Sequence, residues 1–392
     1  MKVLNDAGRR LVFAQFVKMD MRRFSQISLI FDEERLLARF WQAALQVWQA
    51  NKAWVATIAT FLIVVVLLQL LVQVELNLWN RRFFDALERK DAGAVWAQAR
   101  LFIPLAAGSI LLAATSVWGR MTAQRNWRKA LTHHVIEKWI EKDRFRRLNH
   151  HLKKGSENPE YRIAVDVRIA TDAPIDLALA FFSSVITALT FFGVLWTIGG
   201  SIDIPVSGIM VTVPGYLVFG VIIYSGIVSS LMVFFGHHLT SVIERTNQAE
   251  AEFRAAADSF RQEPEQQSAI PDYVNQRQVL RLKLQAVLLW WREFCWQLVR
   301  TTLVSHGNFL FAPVVAWILC APKYLSGAMS LGELTQAAAA FVVVQGAFNW
   351  LVDNFQRLAD WRSSAHRVAT LLLALDEIEA KEMAESAATA KP

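Results

Sequence analysis

VPGYLVFGVIIYSGIVSSLMVFF, Val213 to Phe235, contains no Asp, Glu, Lys or Arg and is apolar over most of its length. At about 1.5 Å of rise per residue, a helix of this length crosses the roughly 30 Å hydrocarbon layer of a bilayer. About a dozen residues later comes NQAEAEFR, Asn247 to Arg254, which is charged, helix-prone and free of Gly and Pro. A membrane helix therefore leads into a rigid, charged helix outside the membrane. What that helix touches is the question the chain poses.

Working outward, the first half of this pattern recurs. The 392 residues are 54% hydrophobic and 19% charged, with a mean hydropathy of +0.28. Soluble domains carry more charge than this. Charge is nearly absent from six windows, at 53–74, 101–118, 177–198, 209–235, 303–321 and 334–352. The predicted fold class is an all-α membrane protein with six transmembrane helices. Residues 1–52 read as an N-terminal segment with an interfacial helix at Glu33 to Trp54, where aromatic and charged residues mix at helical spacing. Residues 353–392 read as a helix and polar tail ending in AKEMAESAATAKP. No cleavable signal peptide is expected, because the basic N-terminal stretch has no clean apolar core.

The connecting segments predict an orientation. Residues 1–52 hold nine Lys or Arg, 119–176 hold thirteen, 236–302 hold eight and the tail holds five. The link GGSIDIPVSG holds none, and the link between the last two spans holds only Lys323. Basic residues collect on the cytoplasmic side, so both termini are expected inside. The first external loop is the exception, with Arg81, Arg82, Arg89, Lys90 and Arg100. The long basic connections are rich in helix formers, so spans two to five are expected to continue as helices beyond the membrane.

Polar residues inside the spans are the candidate functional groups. Gln69, Gln73, Asn77 and Asn80 are spaced 4, 4 and 3, and Gln345, Asn349, Asp353 and Gln356 repeat that spacing. Each set falls within an arc of about 80°. Facing lipid, such stripes would leave amides unsatisfied. They read either as the lining of a wet substrate cavity or as interhelical hydrogen bonding. Glu75 reads as a proton-coupling candidate or as a partner of Arg81 or Arg82. Asp353 reads as a coupling site or as a partner of Arg357, one turn on. His306 reads as the third coupling candidate or as a satisfied hydrogen-bonder at a span entrance.

Other classes find little support. The net charge of +7 fits positive cytoplasmic loops rather than nucleic-acid binding, and KDRFRRLNHHLKK, Lys142 to Lys154, reads as a face near anionic headgroups. LLWWREFCWQL, Leu288 to Leu298, reads as an aromatic belt. The doublets His133–His134, His150–His151 and His237–His238 point about 100° apart on a helix and make poor chelates, so no metal is expected. Cys295 and Cys320 form no framework. No catalytic constellation emerges, and the sequence has no G-x-x-x-x-G-K-[ST] phosphate loop, so this polypeptide is expected not to hydrolyse ATP alone.

Five motifs carry a resemblance. RNWRKALTHHVIEKWI (Arg125 to Ile140), NPEYRIAVDVR (Asn158 to Arg168), VPGYLVFGVIIY (Val213 to Tyr224), NQAEAEFR, and SLGELTQAAAAFVVVQGAFNWLVDNFQRLADWR (Ser330 to Arg362) occur in the order seen in one group of membrane proteins. The chain resembles, over roughly residues 40 to 375, the transmembrane domain of SbmA/BacA-like peptide transporters and peroxisomal fatty-acyl-type ABC transporters. The resemblance implies an ABC-exporter-type fold and a homodimer, with spans four and five reaching across to the partner. It also implies alternating-access movement of peptides or bulky amphipathic solutes in a bacterial inner membrane. Asn158, Arg162, Asn247, Glu250, Glu252, Phe253 and Arg254 are similar to elements that meet an ATPase. Here the expected energy source is a proton gradient or a separate ATPase subunit, and ATP is the only cofactor implied, through that partner. A non-transporting scaffold, or the remnant of a longer transporter, is the rival reading. One segment departs from the family: FRQEPEQQSAIPDY, where Pro264 and Pro271 are expected to break the helix around Glu263 and Glu265.

Overall fold

The computed structural model describes residues 36–46, 48–49, 51–151, 158–206, 209–262 and 273–389. Glu33, Glu263, Pro264, Glu265 and Pro271 lie outside the described residues. The elements, in order, are α1 (residues 36–46), α2 (Lys52–Glu88), α3 (Ala92–Ile140), a 3₁₀ turn, α4 (Arg144–His151), a short turn α5 (Pro159–Tyr161), a π-turn (Arg162–Asp166) and α6 (Val167–Gly199). A hairpin of β1 (Ser201–Val206) and β2 (Ile209–Pro214) follows, then α7 (Tyr216–Gly236), α8 (Leu239–Gln262), α9 (Tyr273–Leu325), α10 (Leu331–Phe348) and α11 (Trp350–Thr389). Among the described residues, six helical stretches are long and apolar enough to cross a membrane. The fold is all-α in the membrane, as the sequence predicts, and the helices run well past the apolar windows.

One boundary is corrected. The predicted fourth span began at residue 209, but residues 209–214 are β2, paired antiparallel with β1 from Ser201–Pro214 to Val206–Ile209. IMVTVP is rich in β-branched residues and ends in Pro214, which favours a strand over a helix there. Helix α7 therefore starts at Tyr216, after Gly215 in the left-handed region at φ +62°. A Cβ at Gly215 would stand 2.3 Å from the Trp196 ring, so the turn needs glycine for both conformation and space.

The chain divides into two compact units. The first comprises the described parts of residues 1–68, 111–179 and 357–392. Its core joins Phe40, Ala43 and Ala44 of α1, Leu131 and Val135 of α3, Leu148 of α4, Val167 and Ala170 of the start of α6, and Val368, Leu371, Leu372 and Leu375 of α11, all fully buried. The α11 residues recur at i, i+3, i+4 and i+7, the spacing of one helix face. Trp41 meets Trp361 at 6.2 Å and Trp48 meets Trp127 at 5.1 Å between ring centroids. The apolar face of α1, expected at the interface with lipid, is thus covered by protein.

Ion pairs border this core. Arg39 donates from Nε and Nη2 to Asp376 at 2.6 and 3.1 Å, and Lys138 donates to Asp376 and lies 2.9 Å from Glu379. Arg144, 2% exposed, donates from Nε to Glu382 at 3.1 Å and from Nη1 to Glu141 at 3.1 Å. Removing one partner of a buried pair costs about 3–5 kcal/mol, because the other charge stays buried.

The second unit comprises residues 69–110 and 180–356. Here α9 packs against α7, α8 and α10. Its core contains Phe191 and Leu195 of α6, Leu217 and Val221 of α7, Ala316 and Cys320 of α9, and Ala337, Ala340, Phe341 and Val344 of α10. Large apolar side chains elsewhere in the spans, among them Ile103, Ile110, Leu189, Leu303 and Ile318, are exposed, as expected of a surface that faces lipid or another chain.

The Asp376 cluster sets a pH dependence. Burial raises this carboxyl, but the hydrogen bonds and charges of Arg39 and Lys138 outweigh it and hold it below its ordinary value. Its contribution to stability is therefore complete above the usual aspartate pKa of about 3.9 and is lost as pH falls through the lower folded value. The thermal midpoint of the wild type in detergent should exceed that of Asp376→Asn at pH 7, and the gap should close on acidification below about pH 4. Arg144→Ala should lower the midpoint more than Arg147→Ala, whose parent side chain is 52% exposed.

Candidate functional site

The two predicted polar stripes differ in burial. In α2, Gln69, Gln73 and Asn80 are half-buried and Asn77 is buried. Asn77 donates from Nδ2 to the Gln336 carbonyl of α10 at 3.1 Å. Gln345 is buried, Asn349 is half-buried at the α10–α11 junction, and Asp353 is exposed. The Oδ1 of Asn77, Oε1 of Gln336 and Nε2 of Gln345 are buried without a hydrogen-bond partner among the described residues. Leaving such groups unmade is costly in an apolar layer, so these atoms are available to water or to a passing polar solute. Gln336 was missed in the sequence because it stands in the small-residue run QAAAA, off the marked stripe.

The coupling candidates separate in the structure. Glu75 pairs with Arg82 at 2.9 Å, the structural alternative the sequence left open. Asp353 has no ion pair among the described residues. The expected Asp353–Arg357 pair is corrected: Arg357 binds Asp176, a buried carboxylate of α6 that competes for it from across the helix interface. His306 is exposed, its ring stacked against Phe309 at 6.1 Å.

Beyond Glu75, the end of α2 clamps the start of α10. Ser330 and Glu333 form a capping box, with Glu333 N–H donating to Ser330 Oγ at 3.1 Å and Ser330 N–H donating to Glu333 at 3.0 Å. The next free N–H groups are taken by α2: Leu331 donates to Glu88 and Gly332 to Asp85, each at 3.0 Å. Arg81 completes the clamp, 2.7 Å from Glu333. Carboxylates belong at this positive helix end. Arg81 and Arg82 thus have local acidic partners, which accounts for part of the basic charge in a loop predicted to be external.

In the first unit the NPEYRIAVDVR segment is built around a buried carboxylate. Asn158 adopts a left-handed conformation at φ +94°, Pro159 opens the next turn, and the Asn158 carbonyl accepts from Tyr161 and Arg162 N–H at 3.1 and 3.3 Å. Arg162 begins the π-turn that ends at Asp166. Asp166 is fully buried and accepts from Arg367 Nε and Nη2 at 2.8 and 2.6 Å. Asp176 accepts from Gln124 Nε2 at 2.7 Å, lies 3.2 Å from Arg120 and also binds Arg357. Both aspartates went unmarked; for Asp166 the available signal was a carboxylate on a helix face otherwise made of Ile163, Val167 and Ala170.

NQAEAEFR lies within α8 of the second unit. Asn247, Glu252 and Arg254 are exposed, while Glu250 and Phe253 are half-buried. Glu252 is 2.8 Å from Lys283 of α9 and accepts from Gln248 at 3.2 Å. The segment is a straight, braced helix with most of its polar groups open to solvent.

A family profile described as ABC transporter transmembrane region 2 matches residues 46–325, well over half of the chain. The chain belongs to the ABC transporter transmembrane region 2 family. It is 24% identical to the inner membrane ABC transporter ATP-binding protein YddA of Escherichia coli (strain K12), over 77% of this chain and 55% of that protein. It is 26% identical to an uncharacterized ABC transporter ATP-binding protein of Synechocystis, over 73% of this chain and 42% of that protein. It is 21% identical to the chloroplastic ABC transporter D family member 2 of Arabidopsis thaliana, over 76% of this chain and 40% of that protein. The chain thus spans about half the length of these relatives, or less.

This ABC transporter transmembrane region takes in both NPEYRIAVDVR and NQAEAEFR and closes at Leu325, the last residue of α9. The clamp on α10 lies partly beyond it and rests on close backbone approach. A Cβ at Gly332 would stand 2.2 Å from the Arg81 carbonyl oxygen and 2.3 Å from Asp85 Oδ1. Gly332→Ala should therefore cost about 1–3 kcal/mol of stability. Gly346→Ala, with nothing within 4 Å of the added carbon, should leave the thermal midpoint in detergent unchanged.

Proposed function

We propose that this chain is the membrane part of an SbmA/BacA-like transporter, moving peptides or other bulky amphipathic solutes by alternating access as a homodimer. The observation that carries the reading is the match to an ABC transporter transmembrane region on a chain with six membrane-length helices. The unpartnered amides of Asn77, Gln336 and Gln345 support a polar solute path, with Gln69, Gln73, Asn80, Asn349 and Asp353 continuing it. We place it in the bacterial inner membrane with both termini cytoplasmic, an orientation that the basic connections support.

For energy we propose a proton gradient or a separate ATPase docking on Asn158, Arg162, Asn247, Glu250, Glu252, Phe253 and Arg254. No catalytic chemistry is assigned to these 392 residues, which hold no phosphate loop, and ATP would act only through that partner. Of the proton-coupling candidates Asp353 is preferred, since Glu75 is neutralised by Arg82 and His306 points outward from its helix packing.

The test is uptake of a labelled amphipathic peptide by proteoliposomes of the purified chain, under an imposed pH gradient, with a parallel search for a stoichiometric ATPase co-purifying from native membranes. Gradient-driven uptake that disappears in Asp353→Asn, with an unchanged thermal midpoint, supports proton coupling. A co-purifying ATPase that detaches from Glu250→Arg/Arg254→Glu supports the docked form. No flux under a pH gradient or with the co-purified partner and ATP would overturn the transport reading in favour of a scaffold.

A further inference from the structure

A cleft of about 560 Å³ runs between α8 and α9 in the second unit. It is lined by His238 of the turn before α8, by Ser241, Val242 and Arg245 of α8, and by Leu289, Trp290, Arg292, Glu293, Gln297 and Arg300 of α9. The first four recur at i, i+3, i+4 and i+7, and those of α9 follow a matching face, so the cleft is the groove between two packed helices. Gln297, 2% exposed, forms part of its floor and donates to the Phe235 carbonyl.

Its charge is unbalanced. Arg245, Arg292 and Arg300 have no carboxylate partner among the described residues, in contrast to Arg39, Arg81, Arg82, Arg120, Arg144, Arg357 and Arg367. Glu293 is the one acidic group in the lining. The Arg245 guanidinium lies over the Trp290 ring at 4.9 Å, which orients it without neutralising it. Three guanidinium forks in one groove favour a ligand with a delocalised oxyanion, above all a phosphate.

Depth decides what carries that phosphate. His238 stands three residues past the apolar run ending at Phe235, and Arg300 three residues before the run beginning at Leu303. That places both within about 5 Å of the edge of the hydrocarbon layer, with Arg245 and Arg292, ten and eleven residues from the same runs, about 10 Å further out along the groove. Val233, Phe234, Trp296, Val299 and Leu303 flank this level and are exposed and apolar, a surface suited to acyl chains rather than to a soluble anion. We propose that the α8–α9 cleft binds the phosphodiester headgroup of an anionic phospholipid, held by Arg300 at the membrane end of the groove, with Arg245 and Arg292 adding attraction from further out and the lipid tails against spans four and five. Basic pockets between membrane helices at the headgroup level select anionic lipids in this way.

The experiment uses the full chain in nanodiscs of phosphatidylcholine containing stepwise phosphatidylglycerol, with retained lipid counted by native mass spectrometry after extraction. The wild type should retain phosphatidylglycerol in preference to phosphatidylcholine. Affinity should fall about five-fold for Arg300→Gln and about thirty-fold for Arg245→Gln/Arg300→Gln. Arg281→Gln, on α9 outside the cleft, should match the wild type. Arg245→Lys/Arg300→Lys keeps the charge and should retain most of the preference, which separates loss of the site from loss of the fold. Equal retention of the two lipids by the wild type, or an undiminished preference in the double Gln variant, would overturn the proposal. So would displacement of the phosphatidylglycerol by millimolar glycerol phosphate, which would assign the cleft to a soluble phosphate instead.

Discussion

Inside a hydrocarbon layer a backbone N–H or C=O has no water to turn to, and every other feature of this chain is arranged around that constraint. Helices satisfy the backbone within each segment, so the spans are helical throughout. Among the described residues the one sheet, the β1–β2 hairpin, sits in the link between the third and fourth spans rather than within one. Where a helix end does leave free N–H groups, at Leu331 and Gly332, the carboxylates of Glu88 and Asp85 take them. The constraint also gives meaning to the few exceptions. Buried amide atoms without a hydrogen-bond partner among the described residues, at Asn77, Gln336 and Gln345, are costly there unless water or another polar group meets them.

Outside the membrane the same chain uses a different device. The long extensions of the helices are held by an apolar core bordered with ion pairs, several of them buried. Such pairs add little net stability compared with apolar replacements, but they are costly to half-remove. They therefore specify which helix faces which: Asp166 accepts the fork of Arg367, and Arg144 is matched to Glu382 and Glu141. The π-turn at Arg162–Asp166 places that carboxylate under Arg367, at the segment that the ABC transporter family shares.

Arginines that are not consumed in this way stand out by contrast. Most of those in the first unit and in the α2–α10 clamp are paired, whereas the three in the α8–α9 cleft have no carboxylate partner among the described residues. A charge left unpaired close to a membrane surface interacts with that surface over about a Debye length, roughly 8 Å at physiological salt. The cleft and the exposed NQAEAEFR face of α8 are then two consequences of one helix, the first near the lipid and the second further from it.

The number and placement of the spans were legible in the sequence, because hydrocarbon tolerates almost no charge over a full crossing and the six windows follow from composition alone. So were the motifs that the family match covers. The start of the fourth helix was not, since IMVTVP is apolar enough for a membrane and only its pairing with SIDIPV makes it a strand. The polar stripes were visible as spacing, but their burial was not: the same helical arc holds the buried Gln345 and the exposed Asp353. Partner choice was decided by tertiary structure alone. Arg357 lies one turn from Asp353 in sequence yet binds Asp176, because local spacing offers a pair only weakly while a buried carboxylate on a packed helix requires one.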